Sequence, residues 1–206
     1  MEDQPKEKIK FLDIIKSNLK IITSTIFLLL VLISFYSWFE YKEDIKKKNL
    51  SEKFIEAKIM LSQKKNDQAL NILKNIIEEE DNTYSVLSLY LIIDQNLEKN
   101  DKKIINYFDK ILSNSNLENE DLDLVKFKKA IFISSYSDEK EMLDLLNPII
   151  NSDSVWKVQS IKFLADFYFS KKEYKKADQY YSTLLALENP NIDGKEIKRK
   201  IKTYKK

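Results

Sequence analysis

The sequence contains 206 residues, with 35 Lys and Arg against 33 Asp and Glu, and at about 100–200 residues per domain this length allows one domain with a short appendage. It has no Cys, no His and a single Gly, so it cannot build a Cys/His zinc site, a His-based triad, a thiol nucleophile or a Gly-rich phosphate loop. We therefore expect neither a cofactor nor an enzymatic activity. Arg199 is the only Arg, which argues against nucleic acid as a partner because base recognition favours guanidinium. The scarcity of Gly and Pro predicts an all-α fold.

An uncharged apolar stretch, IITSTIFLLLVLISFYSWF, follows the N-terminal segment 1–20 and occupies residues 21–39. A helix of this length is roughly 28 Å long, close to the ~30 Å of a bilayer's hydrocarbon core. The stretch ends in aromatic residues instead of the small residues of a signal-peptide cleavage site. These features predict a single uncleaved transmembrane helix, Ile21–Phe39, in contact with membrane lipid. A buried helix of a soluble protein and a cleaved signal peptide are the alternatives.

The orientation in the membrane does not follow from the charges. Residues 1–20 carry five Lys, and residues 40–60 carry six. The positive-inside rule therefore does not choose a side, and long C-terminal domains can cross a membrane whatever the nearby charge. Both orientations remain open from the residues alone.

Four stretches after the apolar segment repeat one pattern, with starts 35, 38 and 35 residues apart. Positions 1, 4, 5, 8 and 9 are apolar in all of them, as in one face of an amphipathic helix. We predict a second helix before each stretch, so that the unit is a helical hairpin. The stretches are ALNILKNII at 69–77, IINYFDKIL at 104–112, MLDLLNPII at 142–150 and ADQYYSTLL at 177–185. The preceding helices are expected at about 50–64, 83–98, 120–136 and 154–171.

This hairpin resembles the tetratricopeptide repeat, a helix–turn–helix unit of 34 residues. The fourth unit carries the packing residues of that family at the matching spacing, namely Leu164, Ala165, Tyr168, Tyr174, Ala177 and Tyr181. The resemblance implies a solenoid of about four repeats over residues 45–206, ending in a basic capping helix at 195–206. Pro148 lies in the third stretch, where it should kink or end the helix.

Two sets of residues are candidates for binding partners. The repeat register directs Gln159, Lys162, Asp166 and Phe169 into the groove that such solenoids use for partners, although Phe169 could instead pack between helices. The capping helix carries Lys198, Arg199, Lys200 and Lys202. These four side chains either form a solvated cap or contact an anionic lipid, an acidic protein or RNA.

A short Lys-containing N-terminus, one membrane span and degenerate tetratricopeptide-like hairpins resemble the ancillary Sec translocon subunit family (YfgM-like) of bacterial inner membranes. The resemblance implies a cytoplasmic N-terminus, a periplasmic solenoid and a non-catalytic scaffold. It also implies three kinds of protein partner: Sec translocon subunits, a membrane-anchored periplasmic chaperone and newly exported clients. The alternatives are a cytoplasm-facing membrane adaptor, a coordinator of envelope assembly, and an enzyme that uses Lys, Tyr or carboxylates.

Overall fold

The computed structural model describes residues 18–113, 117–187 and 193–204. Over these residues the regular structure is entirely helical, which confirms the all-α prediction for this part of the chain. The helices are α1 Leu19–Ser62, α2 Asn66–Glu78, α3 Tyr84–Asp94, α4 Asp101–Leu112, α5 Asn119–Ile133, α6 Glu139–Ile150, α7 Lys157–Ser170, α8 Tyr174–Ala186 and α9 Gly194–Tyr204. The predicted N-terminal segment up to residue 17 and the last two residues of the predicted cap lie outside the described residues.

Helix α1 is long and apolar enough to cross a membrane. It has 44 residues, and its most apolar 18-residue window has a mean hydropathy of 2.1 and no buried part. The sequence predicts a span at 21–39 and a separate helix from about residue 50, but the structure joins them into one helix. The connecting residues 40–49 contain neither Gly nor Pro, so nothing in them interrupts helical hydrogen bonding. The crossing of a membrane stays a prediction.

By its internal contacts the chain divides into two units after Glu52. In the first unit, the apolar segment of α1 ends in aromatic side chains. The Phe35 and Trp38 rings lie 6.1 Å apart, and the Lys42 ammonium lies 4.0 Å from the Trp38 ring centroid. Aromatic rings beside a cation are typical of the boundary between hydrocarbon and headgroups.

In the second unit, each helix from α2 to α9 packs against the next one in the chain. The stripe predicted from the sequence is the packed face of α2, α4, α6 and α8. All its residues are buried or half-buried, and positions 1, 5 and 8 are buried in every copy. The buried set is Ala69, Leu73, Ile76, Ile104, Phe108, Ile111, Met142, Leu146, Ile149, Ala177, Tyr181 and Leu184. The tetratricopeptide-like repeat itself stays a prediction.

Four of the described helices are followed by a left-handed residue that is not Gly; one is Glu80 after α2, with φ 54°, and the other three share one hydrogen-bond pattern. Lys64, Asn96 and Lys172 have φ values of 60°, 50° and 63° at the ends of α1, α3 and α7. In each turn the next residue's N–H donates to a carbonyl five residues back, as Glu173 does to Tyr168 over 2.9 Å. This is the Schellman arrangement, which usually places Gly at the left-handed position.

The C-terminal helix α9 packs against α8. Ile197 is 4 % exposed, and Ile201 packs against the same apolar core, so an apolar face of this helix points inward. Helix α6 ends at Ile150, two residues after Pro148. Pro148 lacks the N–H that would hydrogen-bond to the carbonyl of Asp144. Because a missing hydrogen bond disrupts the interior of a helix, the position of Pro148 in the last turn of α6 is the less disruptive one.

Candidate partner-binding groove

An open groove with a volume of about 530 Å³ crosses three helices of the second unit. Its lining comes from residues 53–62 of α1, from α3 and from α5, with Phe108 of α4 beneath. Two aromatic contacts join these helices. Phe54 of α1 lies 6.1 Å from Tyr84 of α3, and Phe108 lies 6.0 Å from Phe132 of α5, measured between ring centroids.

Helix α3 forms the middle wall because it is apolar on both faces. Its inner face contains Leu89 and Ile92, which are fully buried, together with two Ser side chains. The small Ser85 side chain lets α3 lie close to α2, and its hydroxyl donates to the carbonyl of Ile76 over 3.1 Å. Its outer face presents Leu87 to the groove, with Leu91 four residues later, because residues four apart share a side of a helix.

The groove leaves apolar surface open to solvent. Leu87 of α3 is 41 % exposed and Ile131 of α5 is 40 % exposed. Full removal of a side chain of this size from water is favourable by about 1.5–3 kcal/mol. A complex in which a partner covers both side chains would therefore be stabilised. An apolar groove of this kind can hold side chains of another protein.

Two lysines and one carboxylate border the groove. Lys58 of α1, Lys128 of α5 and Asp94 of α3 all line it and are exposed. The Lys128 ammonium lies 6.0 Å from the centroid of the Tyr90 ring. Neither lysine forms an ion pair with any other part of the chain that the structure describes. The border therefore carries more positive than negative charge.

Tyr90 contributes a buried hydroxyl to the wall of the groove. Within residues 18–113, 117–187 and 193–204 this hydroxyl has no hydrogen-bond partner. Burial, and to a smaller extent the negative charge of Asp121, raises the pKa of Tyr90. The hydroxyl therefore stays protonated at neutral pH. Among the described residues, no group of three or more acidic side chains is placed to hold a metal ion.

The four residues predicted to face a partner all lie on α7, outside this groove. Gln159 and Lys162 are exposed. Asp166 accepts hydrogen bonds from Tyr181 of α8 and Lys200 of α9, so its carboxylate connects helices. The Phe169 ring packs against Tyr174, with 5.8 Å between ring centroids. A partner role for these four residues stays a prediction.

The four predicted basic side chains of α9 have two different settings. Lys198, Arg199 and Lys202 are exposed. Lys200 is half-buried, and its ammonium lies 2.8 Å from Asp166 and 3.5 Å from Glu196. Three of the four cations are thus available to solvent, and the fourth holds α9 against α7.

The residues of the groove between α1, α3 and α5 were not among the sequence-based candidates. A signal was present, since Leu87 and Ile131 are large apolar residues on the outer sides of helices whose inner sides are also apolar. Such residues read equally well as core. Compared with protein-family models, curated proteins and solved structures, the chain gives no match. The expected family relationship therefore stays a prediction.

Proposed function

We propose that this chain is a membrane-anchored, non-catalytic protein-binding scaffold of the bacterial envelope. It serves as an ancillary subunit of the Sec translocon and keeps a membrane-anchored periplasmic chaperone close to newly exported proteins. The apolar part of α1 anchors it in the inner membrane with the N-terminus in the cytoplasm and helices α2–α9 in the periplasm. No cofactor takes part.

The observation that carries this proposal is the open apolar groove between α1, α3 and α5. Leu87 and Ile131 both line this groove and remain about 40 % exposed there. Contiguous exposed apolar surface on a protein marks a binding site for another molecule. The apolar α1 supports the same function, because an anchored scaffold holds its partners near the membrane at a high effective concentration.

Site-specific photocrosslinking in cells tests the scaffold function. A benzophenone amino acid at position 87 should crosslink to translocon subunits and exported proteins. The same group at Val155, which is 66 % exposed and does not line the groove, is the matched control and should not. Introducing Asp at Ile131 should abolish the position-87 crosslinks. Equal crosslinking from both positions, or crosslinks that persist in the Ile131→Asp variant, would contradict the proposal.

The orientation is tested with cysteine labelling, for which the chain has no native Cys background. Ser113→Cys places a thiol at an exposed residue after α4, and Ser17→Cys places one on the other side of the apolar segment. In intact spheroplasts a membrane-impermeant maleimide should label position 113 and leave position 17 unlabelled until lysis. The reverse result would favour the cytoplasm-facing adaptor. Position-87 crosslinks to cell-wall enzymes in place of translocon subunits would favour the envelope-assembly coordinator.

A further inference from the structure

We infer that the groove between α1, α3 and α5 selects a protein segment in which acidic side chains flank apolar ones. The inference rests on the proposed scaffold function and specifies which segments of a partner the groove takes. It depends on two features of the groove: its two lysines form no ion pair within the described residues, and the surface between them is apolar.

Several lysines that lie where helices of this unit meet have carboxylate partners on other elements. Lys129 of α5 lies 2.7 Å from Asp109 of α4, and Lys176 of α8 lies 2.8 Å from Glu139 of α6. A third such contact joins Lys74 of α2 to a carboxylate after α3, at 3.1 Å. The chain thus commonly places an acidic residue opposite a lysine where two helices meet.

The two groove lysines differ from these three. Lys58 and Lys128 form no ion pair within the described parts of the chain. They lie on α1 and α5, the two helices that flank α3, so a cation borders the groove on each side. The one carboxylate that lines the groove, Asp94, already accepts a hydrogen bond from the Gln95 side chain over 2.9 Å.

The surface between the two cations is apolar and open. It includes Leu87, Ile131 and Leu91, and the first two are exposed enough to be covered by a partner's side chains. Covering this surface removes water from around the lysines and strengthens their attraction to a carboxylate. An apolar segment with flanking Asp or Glu is therefore stabilised both by the burial of apolar surface and by the attraction between its carboxylates and the two lysines. A segment with flanking Lys instead places like charges together.

Binding of labelled peptides to the full-length chain in phosphatidylcholine nanodiscs tests this inference. The first probe is a fluorescein-labelled helical peptide with Leu and Phe on one face and Glu beside them. In the second probe each Glu is replaced by Lys, and in the third each apolar residue is replaced by Ser. Fluorescence anisotropy should show the first peptide binding about tenfold more tightly than either of the others. The advantage over the Lys peptide should shrink at high salt, because exposed charges are screened.

Charge-reversal variants test whether Lys58 and Lys128 cause the preference for the Glu peptide. Lys58→Glu combined with Lys128→Glu should reverse the order of the Glu and Lys peptides. Lys140→Glu combined with Lys175→Glu changes the net charge equally but alters exposed residues of α6 and α8 outside the groove, so it should leave the order unchanged. Equal affinity for the two peptides, no measurable binding of either, or a reversal only in this second variant would overturn the inference.

The inference and the scaffold function fail in distinguishable ways. If the peptides show no charge preference while Ile131→Asp still abolishes the position-87 crosslinks, the scaffold function stands and the inference is wrong. If those crosslinks survive Ile131→Asp, the scaffold function itself is wrong. A second copy of the chain is the other possible occupant of the groove, and mass photometry tests for it. If Ile131→Asp converts a dimer into a monomer, the second copy fills the groove and the inference is overturned.

Discussion

The ammonium of Lys200 lies 2.8 Å from Oδ1 of Asp166 and joins α9 to α7. The same carboxylate accepts a hydrogen bond from the hydroxyl of Tyr181 on α8. Asp166 therefore connects three consecutive helices at the C-terminal end of the chain. Beneath this contact Ile197 is almost fully buried, so the ion pair and the apolar face hold α9 in one position.

Replacing Asp166 with Asn should loosen α9. The change weakens the contact to Lys200 and the hydrogen bond from Tyr181, and bonds to a charged acceptor contribute about 1.5–3 kcal/mol each before solvent screening. With screening of this half-exposed site, we expect a loss of about 1–2 kcal/mol, or roughly 2–8 °C in Tm. Trypsin should also cut after Arg199 faster in the variant. Lys162→Gln, which removes only the exposed pair on α7 itself, should change neither quantity much.

The stabilisation from this pair should depend on pH at both ends of the range. Partial burial alone would raise the pKa of Asp166, but the hydrogen bonds from Lys200 and Tyr181 outweigh it and hold the pKa below its ordinary value. The stabilisation that ionised Asp166 contributes is therefore fully present above pH ~4, the pKa of Asp in the unfolded chain. It is lost as the pH falls through the lowered pKa of the folded chain.

For Lys200 the sign is opposite. Desolvation alone would lower its pKa, but the hydrogen bond to Asp166 raises the pKa above its ordinary value. The stabilisation that charged Lys200 contributes is fully present below pH ~10, the pKa of Lys in the unfolded chain. It is lost as the pH rises through the raised pKa of the folded chain. Thermal unfolding from pH 3 to 11 should show that Asp166→Asn differs most from the wild type between these limits. A difference that is constant over the whole range would contradict this assignment.

Lys129 and Asp109 should respond unequally to mutation. Lys129 is only 8 % exposed, and Asp109 is its nearest carboxylate at 2.7 Å, with Glu141 at 4.0 Å. Asp109→Asn leaves a buried ammonium without its main partner and should cost about 1–3 kcal/mol. Lys129→Met removes the charge and keeps the apolar stem, so it should stay within about 1 kcal/mol of the wild type. Urea unfolding that ranks the two variants the other way would refute this asymmetry.

Glycine should stabilise two of the left-handed turns. Lys64 and Lys172 have φ values of 60° and 63°, which cost a residue with a Cβ about 1–2 kcal/mol. Lys64→Gly and Lys172→Gly should each raise the free energy of unfolding by about 1 kcal/mol, as measured in urea. Asn tolerates this conformation better than Lys, so Asn96→Gly should gain less. A loss of stability in both lysine variants would show that their side chains make contacts worth more than the backbone strain.

Ser160 should be improved by alanine. It is fully buried on α7, and its hydroxyl has no hydrogen-bond partner among the residues that the structure describes. Ser160→Ala removes an unsatisfied polar group and raises helix propensity, so we expect a gain of about 1 kcal/mol in unfolding free energy. Ser170→Ala on the same helix is the control, because that exposed hydroxyl donates to the carbonyl of Phe167 over 2.7 Å. An equal gain in both variants would point to helix propensity alone.

The helices could be predicted from the sequence because their signal is local. Apolar residues at positions 1, 4, 5, 8 and 9 of a stretch share one face whatever lies opposite, since the helical period is a property of the backbone. The predicted stretches 69–77, 104–112, 142–150 and 177–185 all fall inside α2, α4, α6 and α8. The uncharged run within α1 is local in the same sense. Residues 50–62 are predicted as a separate helix, and only its continuity with the apolar run was missed, because the charged residues 40–49 show no apolar periodicity.

Which polar and apolar side chains meet across helices was decided only by the tertiary structure. Asp166 and Lys200 are 34 residues apart. The local sequence indicates only that Asp166 can pair with Lys162, which lies one helical turn away, and gives no sign of the contact with Lys200. The groove between α1, α3 and α5 likewise depends on how three helices lie together. Leu87 and Ile131 have the same side-chain chemistry as buried residues, and they are exposed because no helix of the described parts of the chain covers them. Periodicity determines which residues share a face, whereas the packing of distant helices determines which faces remain open.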